Sequence, residues 1–513
     1  MYRIYDENTS FIQKVINSYD LSEGQKEEIY DNNLDLPTCD DPELLMIADR
    51  IMDAKENNEK IFIAGDYDTD GIMATTILKD TLDNLGIENG YYIPNRFDEG
   101  YGLSVNTCKL VYEKGYDLII TVDNGVKALD AIEYCNSVGL EIIVTDHHQM
   151  EEEVDVVNIL HPELLDDYYK GMCGAGMAYL ISESINHNDY HTVLAMIATI
   201  GDMMNLFGYN RKLVRKGLQI LNKKQYPNVI ALFDKKTKYN EIDVAFQVVP
   251  KINAIGRLAN MSNPNTLIKY FVSKDNKLIS SFSKQIININ NLRKSKSKVM
   301  VEKAKSLMTD DSINLIYDES FEEGMCGLAA GSIANSIHKA TIVLTKKDDK
   351  YVGSARSVIG FDLYEYLNKV SYLFDKFGGH KMAAGLSISE DNLLKFKNYL
   401  ENNQVDYDEV CTQTIKCNLN ELTIEIVKEL DSLRPFGQGL PQPLFYVGDY
   451  TITNYTKVKG IYPKWSLKSN NNISAIAFSD SLDKPNPISL IANAQINLYM
   501  NKESVSLIVK DIE

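Results

Sequence analysis

The chain has 513 residues, and 53 Lys and Arg against 72 Asp and Glu give a formal net charge of −19. The length calls for roughly three domains, and the 44% hydrophobic content excludes wholesale disorder. No uninterrupted apolar run of about 18 residues occurs, which excludes a membrane-spanning helix. The first residues, MYRIYDENTSFIQKV, carry charge early and hold no signal-type apolar core, so the expected location is cytoplasmic. Seven scattered cysteines (Cys39, Cys108, Cys135, Cys173, Cys326, Cys411 and Cys417) form no CxxC pair. That argues against a zinc ribbon and against a disulfide framework. The acidic balance argues against nonspecific coating of nucleic acid, though not against a local basic groove.

Residues 1–55 read as polar and helical, with a turn at 35–40. From there, short apolar runs at 61–64, 91–93, 117–122, 141–145 and 156–160 alternate with helix-like stretches at 72–85 and 126–137. Such alternation predicts a parallel α/β sheet with right-handed crossovers. Residues 174–235 read as mainly helical. A breaker-poor stretch at 264–308 reads as a helix connecting this block to a second, smaller α/β block. Its basic cluster, Arg293-Lys-Ser-Lys-Ser-Lys298 with Lys303 and Lys305, is either a solvated face or one wall of an anion-binding cleft. In the second block, 324–337 reads as a helix, and 340–344 and 351–355 as strands. Alternating β-branched and polar residues after about 405 predict a small β-barrel or sandwich. The 470–472 asparagine run reads as a turn.

The strongest chemical signal is Gly65-Asp-Tyr-Asp-Thr-Asp-Gly71, directly after the 61–64 run. Three carboxylates at alternate positions on a strand-to-helix turn can converge on one centre. Such a turn lies at the carboxyl edge of a parallel sheet, where ligands bind. An EF-hand loop opens the same way but needs a bidentate Glu at its twelfth position. Counted from Asp66, that position is Ile77, and the preceding segment reads as a strand. A plain acidic turn is the other reading. Two more strand ends repeat the theme, Val122-Asp-Asn-Gly125 and Thr145-Asp-His-His-Gln149, and Asp202 follows an apolar helix at 192–200. Each alone reads as a helix cap or a surface pair. A parallel sheet, however, points all its strand C-termini to one edge, gathering Asp68, Asp70, Asp123, His147 and Asp202. Crowded carboxylates repel and need cations. Several carboxylates with one imidazole suit Mn²⁺ or Mg²⁺ better than Zn²⁺ or Cu²⁺. A bridging Asp would hold two ions about 4 Å apart, the arrangement used for in-line attack on phosphorus.

This order of motifs resembles the DHH phosphoesterase superfamily, and within it the RecJ single-strand-specific 5′ exonucleases. The resemblance runs nearly the whole chain. Asp41-Pro-Glu-Leu-Leu45, Ile93-Pro-Asn-Arg-Phe-Asp-Glu-Gly-Tyr-Gly-Leu103, Cys173-Gly-Ala-Gly176 and Asn253-Ala-Ile-Gly-Arg-Leu258 are RecJ-like. Gly353-Ser-Ala-Arg-Ser357 and Gly378-Gly-His-Lys-Met-Ala-Ala-Gly385 resemble the DHH-associated domain, and Arg434-Pro-Phe-Gly-Gln-Gly439 resembles the entry to the RecJ OB-fold domain. The resemblance implies an α/β fold with a helical extension (1–55) and a parallel-sheet DHH catalytic domain (56–263). A connecting helix (264–308), a smaller α/β substrate-binding domain (309–405) and an OB-like nucleic-acid-binding β-barrel (406–513) follow. It implies Asp68, Asp70, Asp123, His147 and Asp202 as ligands to a two-metal Mn²⁺ or Mg²⁺ site, with Asp123 as the bridge. His148 would face the scissile phosphate and Asp146 would orient the histidines. Arg257, Ser354 and Arg356 would hold the 5′-terminal phosphate, with Gly379 and His380 approaching the same anion. Alone, Arg257 reads equally as a structural ion pair, His380 as a loop histidine and the glycines as a tight turn. Ala64 stands where some superfamily members place a histidine, a departure that favours the exonuclease over the pyrophosphatase branch.

The implied activity is processive 5′→3′ hydrolysis of single-stranded DNA to 5′-mononucleotides in repair or recombination, the substrate passing a gap too narrow for a duplex. The implied partners are single-stranded DNA with a 5′ end, and a single-strand-binding protein or helicase, with no membrane. At 455–468, bases and aromatics interleave around Trp465, the only tryptophan. This is either a stacking platform for single-stranded DNA or ordinary β-surface. Two further readings share the sequence: a phosphodiesterase for short oligonucleotides or cyclic dinucleotides, and a non-catalytic replisome scaffold. The β-domain speaks against the first, and the intact acidic and histidine positions against the second.

Overall fold

Aliphatic runs too short for helices, buried on both faces, form the three central strands of a five-stranded parallel sheet, and the half-buried Asn89–Tyr92 lies at one edge. Its strands lie in the order Asn89–Tyr92, Ile61–Ala64, Leu118–Val122, Glu141–Thr145, Asn158–Leu160. The computed structural model describes residues 2–95, 100, 102–150, 154–407, 411–469, 473–499 and 502–513. Residues 96–99 and 101 of the 93–103 motif, and the 470–472 asparagine run, lie outside the described residues. The chain divides into two units. One comprises Met1–Pro94, Tyr101–Val249 and Cys411–Glu513, the other Asn95–Gly100 and Pro250–Val410.

In the first unit, one face of the parallel sheet buries Phe62, Ala64, Ile119, Ile142 and Val144. They pack against Cys108, Val111, Ala131, Ile132 and Cys135 of the helices Val105–Glu113 and Leu129–Val138. The alternate residues Ile61, Ile63, Ile120 and Ile143 are fully buried, on the side of the helices Thr69–Leu85 and Gly174–Ile185. Helices on both faces explain why these strands read as continuous apolar runs. The chain leaves Ile61–Ala64 toward one edge and Leu118–Val122 toward the other. Strand order therefore reverses between these two neighbours, opening a crevice beyond their carboxyl ends.

The same unit holds an eight-stranded mixed sheet, and here the wholly helical reading of residues 1–55 is corrected. Tyr2–Tyr5 is an edge strand, paired in parallel with Thr412–Lys416. Helix Phe11–Asn17 sends Phe11, Ile12, Val15 and Ile16 into one core with Ile415, Leu430, Phe445 and Trp465. Phe11 stacks on Phe445 with ring centroids 5.4 Å apart. Both ends of the chain thus build one core, which local periodicity cannot reveal, because the partner of a four-residue strand lies at the far end of the sequence.

The second unit contains a five-stranded mixed sheet ordered Lys376–His380, Ala383–Ser389, Lys350–Arg356, Thr341–Lys347, Asn314–Tyr317. The stretch expected as one connecting helix is two, Asn265–Val272 and Asn276–Ser306. Asp275 caps the second, its side chain accepting the Lys277 N–H at 2.8 Å. Of its basic cluster, Lys296 pairs with Glu322 and Lys303 with Asp318, each at 2.7 Å.

A shared terminal core has a direct consequence. Phe11→Ala removes an almost buried ring from the barrel and should cost about 3 kcal/mol. The measurement is urea unfolding followed through the fluorescence of Trp465, which lies in that core.

Candidate metal centre

The turn after Ile61–Ala64 is built by its own carboxylates. Asp68 caps helix Thr69–Leu85, its Oδ1 accepting the N–H groups of Asp70 at 2.8 Å and Gly71 at 3.1 Å. A Cβ on Gly71 would stand 2.5 Å from the Asp66 carbonyl oxygen, so the turn requires glycine there. Asp70 is fully buried at the start of a second helix, Gly174–Ile185. The Gly174 N–H donates to its Oδ2 and the Ala175 N–H to its Oδ1, both at 2.7 Å. The positive end of that helix offsets the carboxylate charge. A Cβ on Gly174 would lie 2.5 Å from the Cβ of Asp123, so glycine lets Asp70 and Asp123 share this helix start.

Asp123 follows Leu118–Val122 with φ +60°, a conformation uncommon outside glycine. Its neighbour Asn124 holds the loop in place. The Asn124 amide donates to the Ala64 and Val122 carbonyls at 3.0 and 2.9 Å, and its Oδ1 accepts the Leu103 N–H at 3.1 Å. After Glu141–Thr145 come Asp146, His147 and His148. His147 Nε2 lies 3.1 Å from Asp123 Oδ1, 3.5 Å from Asp70 Oδ2 and 3.6 Å from Asp202 Oδ2. Asp146 accepts the Val126 N–H at Oδ2, and the His147 and His148 N–H groups together with His148 Nδ1 (2.8 Å) at Oδ1. Asp202 terminates helix Asp189–Gly201.

Among the described residues, three overlapping groups each bring their ligand atoms within 4.8 Å of one another: Asp66–Asp68–Asp123, Asp123–His147–His148 and Asp70–His147–Asp202. Asp123 belongs to two of them. Asp66, buried at the head of the acidic turn, is absent from the ligand set read from sequence. Its place as the first of three alternating carboxylates is the available signal. His161 is also missed by sequence reasoning. It is buried, and its Nε2 donates to the His148 carbonyl at 2.9 Å, steadying the histidine loop from a strand end whose sequence shows no motif.

Charge crowding marks the site. Burial, then repulsion from Asp70, Asp68 and Asp66, raises the Asp123 carboxyl well above its ordinary range. Burial and the charges of Asp70 and Asp68 push Asp202 up to about 8. Burial and Asp70 also raise Asp68. Burial lowers His147, favouring the neutral imidazole that ligates metals. Burial pulls His148 down as well, but its hydrogen bond to Asp146 prevails and raises it. Burial pushes Asp146 up, and the hydrogen bond from His148 outweighs it, so Asp146 is lowered. A carboxylate-rich donor set with one neutral imidazole fits a hard divalent cation of the Mg²⁺ or Mn²⁺ kind, whose charge would offset the repulsion.

The second unit holds the remaining expected residues. Ser354 and Arg356 lie two apart on Lys350–Arg356 and face the first turn of helix Cys326–Ile337. A Cβ on Gly327 would stand 2.8 Å from Arg356 Nη2 and 3.4 Å from Ser354 Oγ. Arg257 ends helix Val249–Arg257, and the next residue, Leu258, packs with Met325 and Cys326 at that same helix start. Gly379, with φ +153°, and His380 lie on the edge strand Lys376–His380, and His380 is exposed. Trp465 corrects an expectation. It is fully buried in the barrel core, and its indole N–H donates to the Lys484 carbonyl at 3.0 Å. A ring with no exposed face cannot stack on a base.

Residues 60–202 match the DHH family N-terminal domain, 296–404 the DHHA1 domain and 415–511 the RecJ OB domain. The single-stranded-DNA-specific exonuclease RecJ of Bacillus subtilis (strain 168) is 29% identical over 501 residues, which cover 90% of this chain and 62% of that protein. The chain thus spans about three fifths of that relative's length. RecJ of Thermus thermophilus crystallised with Mn²⁺ shares the fold at a TM-score of 0.82 and 23% identity, covering 95% of this chain and 74% of that one. Its complex with Mg²⁺ gives 0.76 and 22%, covering 95% and 72%.

The raised carboxyls set a pH dependence. Without metal, Asp68, Asp123 and Asp202 keep protons in the folded chain at pH values where the unfolded chain has released them. Their contribution to stability is present below the ordinary carboxylate range and is lost as pH rises through about 8 for Asp202. His148, also raised, acts in the same direction, while His147 acts oppositely near its ordinary pKa. In EDTA, the melting temperature should therefore fall from about pH 5 to pH 8. With Mn²⁺, which displaces those protons, the stabilisation should grow over the same interval.

Proposed function

We propose that this chain, which belongs to the DHH family and carries the RecJ set of domains, is a metal-dependent exonuclease that degrades single-stranded DNA from its 5′ end to 5′-mononucleotides. The observation that carries this reading is the convergence of Asp66, Asp68, Asp70, Asp123, His147 and Asp202 at the switch point of the parallel sheet. It occurs in a chain whose final residues match a RecJ OB domain.

Asp66, Asp68, Asp70, Asp123, His147 and Asp202 would hold the metal, with Asp123 common to neighbouring groups. When bound, Mn²⁺ or Mg²⁺ supplies Lewis-acid neutralisation of charge at the scissile phosphate. The residues of the chain do the rest. Asp146 holds the His148 ring through Nδ1 at 2.8 Å and raises its pKa, favouring the protonated form. His148 Nε2 then carries the proton to the departing 3′ oxygen, or donates a hydrogen bond to the phosphate as charge develops. The N–H groups of Gly174 and Ala175 hold Asp70 in one orientation, so that its lone pairs need no reorganisation. In the second unit, Arg257, Ser354 and Arg356 together with the start of helix Cys326–Ile337 bind the 5′-terminal phosphate. Guanidinium forks and helix N–H groups both suit that anion. Gly379 and His380 belong to the same substrate-binding unit.

The reading extends to a 5′-ended single strand supplied by a helicase or a single-strand-binding protein, in the cytoplasm, during repair or recombination. Among the described residues, no helix is long and apolar enough to cross a membrane.

The test is a time course on a 5′-phosphorylated, 3′-labelled single strand with Mn²⁺. The wild-type chain should shorten it progressively from the 5′ end and leave a blunt duplex intact. Asp123→Ala should lose at least about 100-fold in rate. His148→Gln should lose about 100- to 1,000-fold in kcat while still being stabilised by Mn²⁺. A strand that survives the wild-type chain defeats the proposal.

A further inference from the structure

Four of the five ligand positions expected from sequence lie on turns that follow strands of the parallel sheet, whose pairing sets where those turns begin. Asp202 does not. It stands where helix Asp189–Gly201 ends, its N–H bonded to the Ala198 carbonyl at 2.8 Å. Beyond it, Met203 takes φ +58°, and the Met204 N–H returns to Thr199 at 3.1 Å. What then holds the chain comes from the far C-terminal segment. Asn205 bridges Gln438 in parallel fashion, and the Leu206 N–H donates to the Gln438 carbonyl at 2.9 Å. Gly439, with φ +86°, lies so close that a Cβ there would stand 2.6 Å from Asn205 Oδ1. A Cβ on Gly437 would stand 2.7 Å from the Leu206 side chain. From the other side, Asn210 Nδ2 donates to the Asn205 carbonyl at 3.0 Å.

The C-terminal segment is itself anchored. Glu241, 2% exposed, accepts the Phe436 N–H at 3.0 Å and an Arg434 guanidinium N–H. Arg211, also 2% exposed, donates to the Leu433 carbonyl at 2.7 Å and directs its other donors to backbone oxygens of residues 28, 434 and 435. Burying two charges is costly, and here the cost is offset by their hydrogen bonds to one short stretch of main chain and by the Arg434–Glu241 pair, so that stretch is held in place.

We propose that the Arg434–Gly439 segment is a positioning device for Asp202: Gln438 and Gly439, held by Glu241 and Arg211, set the backbone at Asn205 and Leu206 and so the reach of the Asp202 carboxylate toward Asp70 and His147. The barrel domain thereby contributes to the metal centre without supplying a ligand. Partners that hydrogen-bond a ligand directly govern metal affinity by about ten- to a hundredfold, and a hold that acts through the Asn205–Leu206 backbone belongs at the lower end of that range. This rests on the metal-centre reading above.

The experiment is a Mn²⁺ titration of the full chain without DNA, with free Mn²⁺ counted by its EPR signal, beside apo melting curves. Gly439→Ala should raise the half-saturating Mn²⁺ concentration about tenfold or more. Glu241→Gln should shift it in the same direction. Phe396→Leu, in the core of the other unit, should lower the melting temperature and leave the titration unmoved. Coincidence of the Gly439→Ala and Glu241→Gln titrations with the wild type overturns the proposal, as does an equal shift from Phe396→Leu. If Gly439→Ala does not fold, Glu241→Gln alone decides between those outcomes. A wild-type chain that takes up no Mn²⁺ removes the metal centre itself, and this inference with it, a result distinct from loss in the variants alone.

Discussion

Carboxylates that repel one another, buried together at the edge of a parallel sheet, are the constraint around which the first unit is organised. Asp123 lies within reach of His147 and Asp70 in a place that excludes water, and its own charge is strongly disfavoured there. Such a cluster persists only because folding elsewhere enforces it. The doubly covered sheet fixes the strand ends. The start of helix Gly174–Ile185 supplies two N–H groups to Asp70. Glycines at 71 and 174 remove the side chains that would hold the carboxylates apart. A divalent cation bound there would neutralise the remaining repulsion and couple the stability of this region to metal.

The two histidines divide the work by environment. His147 lies deep among carboxylates, where burial favours the neutral form, the form able to ligate a metal. His148, one residue on, leans on Asp146, which raises its pKa. Neighbouring imidazoles with opposed shifts are the pattern by which one site holds a metal and handles protons at the same pH. His161 and Asn124 make neither contribution directly, but they hold the backbone on which both depend.

The terminal segments are structurally one object. A strand and a helix from the N-terminus complete the core of the C-terminal sheet, and residues 433–439 are pinned by Arg211 and Glu241. The ends of the chain thus bear on the segment that carries Asp202. In the second unit, Ser354 and Arg356 gather at a helix start by the simple alternation of a strand, the same economy that places the acidic turns.

Much of the site is legible because it is written in short motifs tied to strand ends. The Asp-x-Asp-x-Asp turn, the Val-Asp-Asn-Gly turn and the Asp-His-His turn each follow an apolar run, and parallel strands carry all such turns to one edge. That inference needs only backbone geometry. What the sequence does not determine depends on which distant groups meet. Trp465 reads as a stacking surface because a lone aromatic among lysines looks the same whether its ring faces solvent or core; burial is a property of the folded sheet and the helices packed on it. Asp66 escapes the ligand set because alternation alone does not say how many carboxylates turn inward. The helical reading of residues 1–55 fails at Tyr2–Tyr5 because strand pairing is decided by a partner at the other end of the chain. The sequence by itself determined the chemistry and the edge at which it collects, since those follow from local pattern and chain direction. Only the tertiary structure decided the packing of the termini, the hold on Asp202 and the exposure of Trp465, because each is a contact between residues that no local spacing relates.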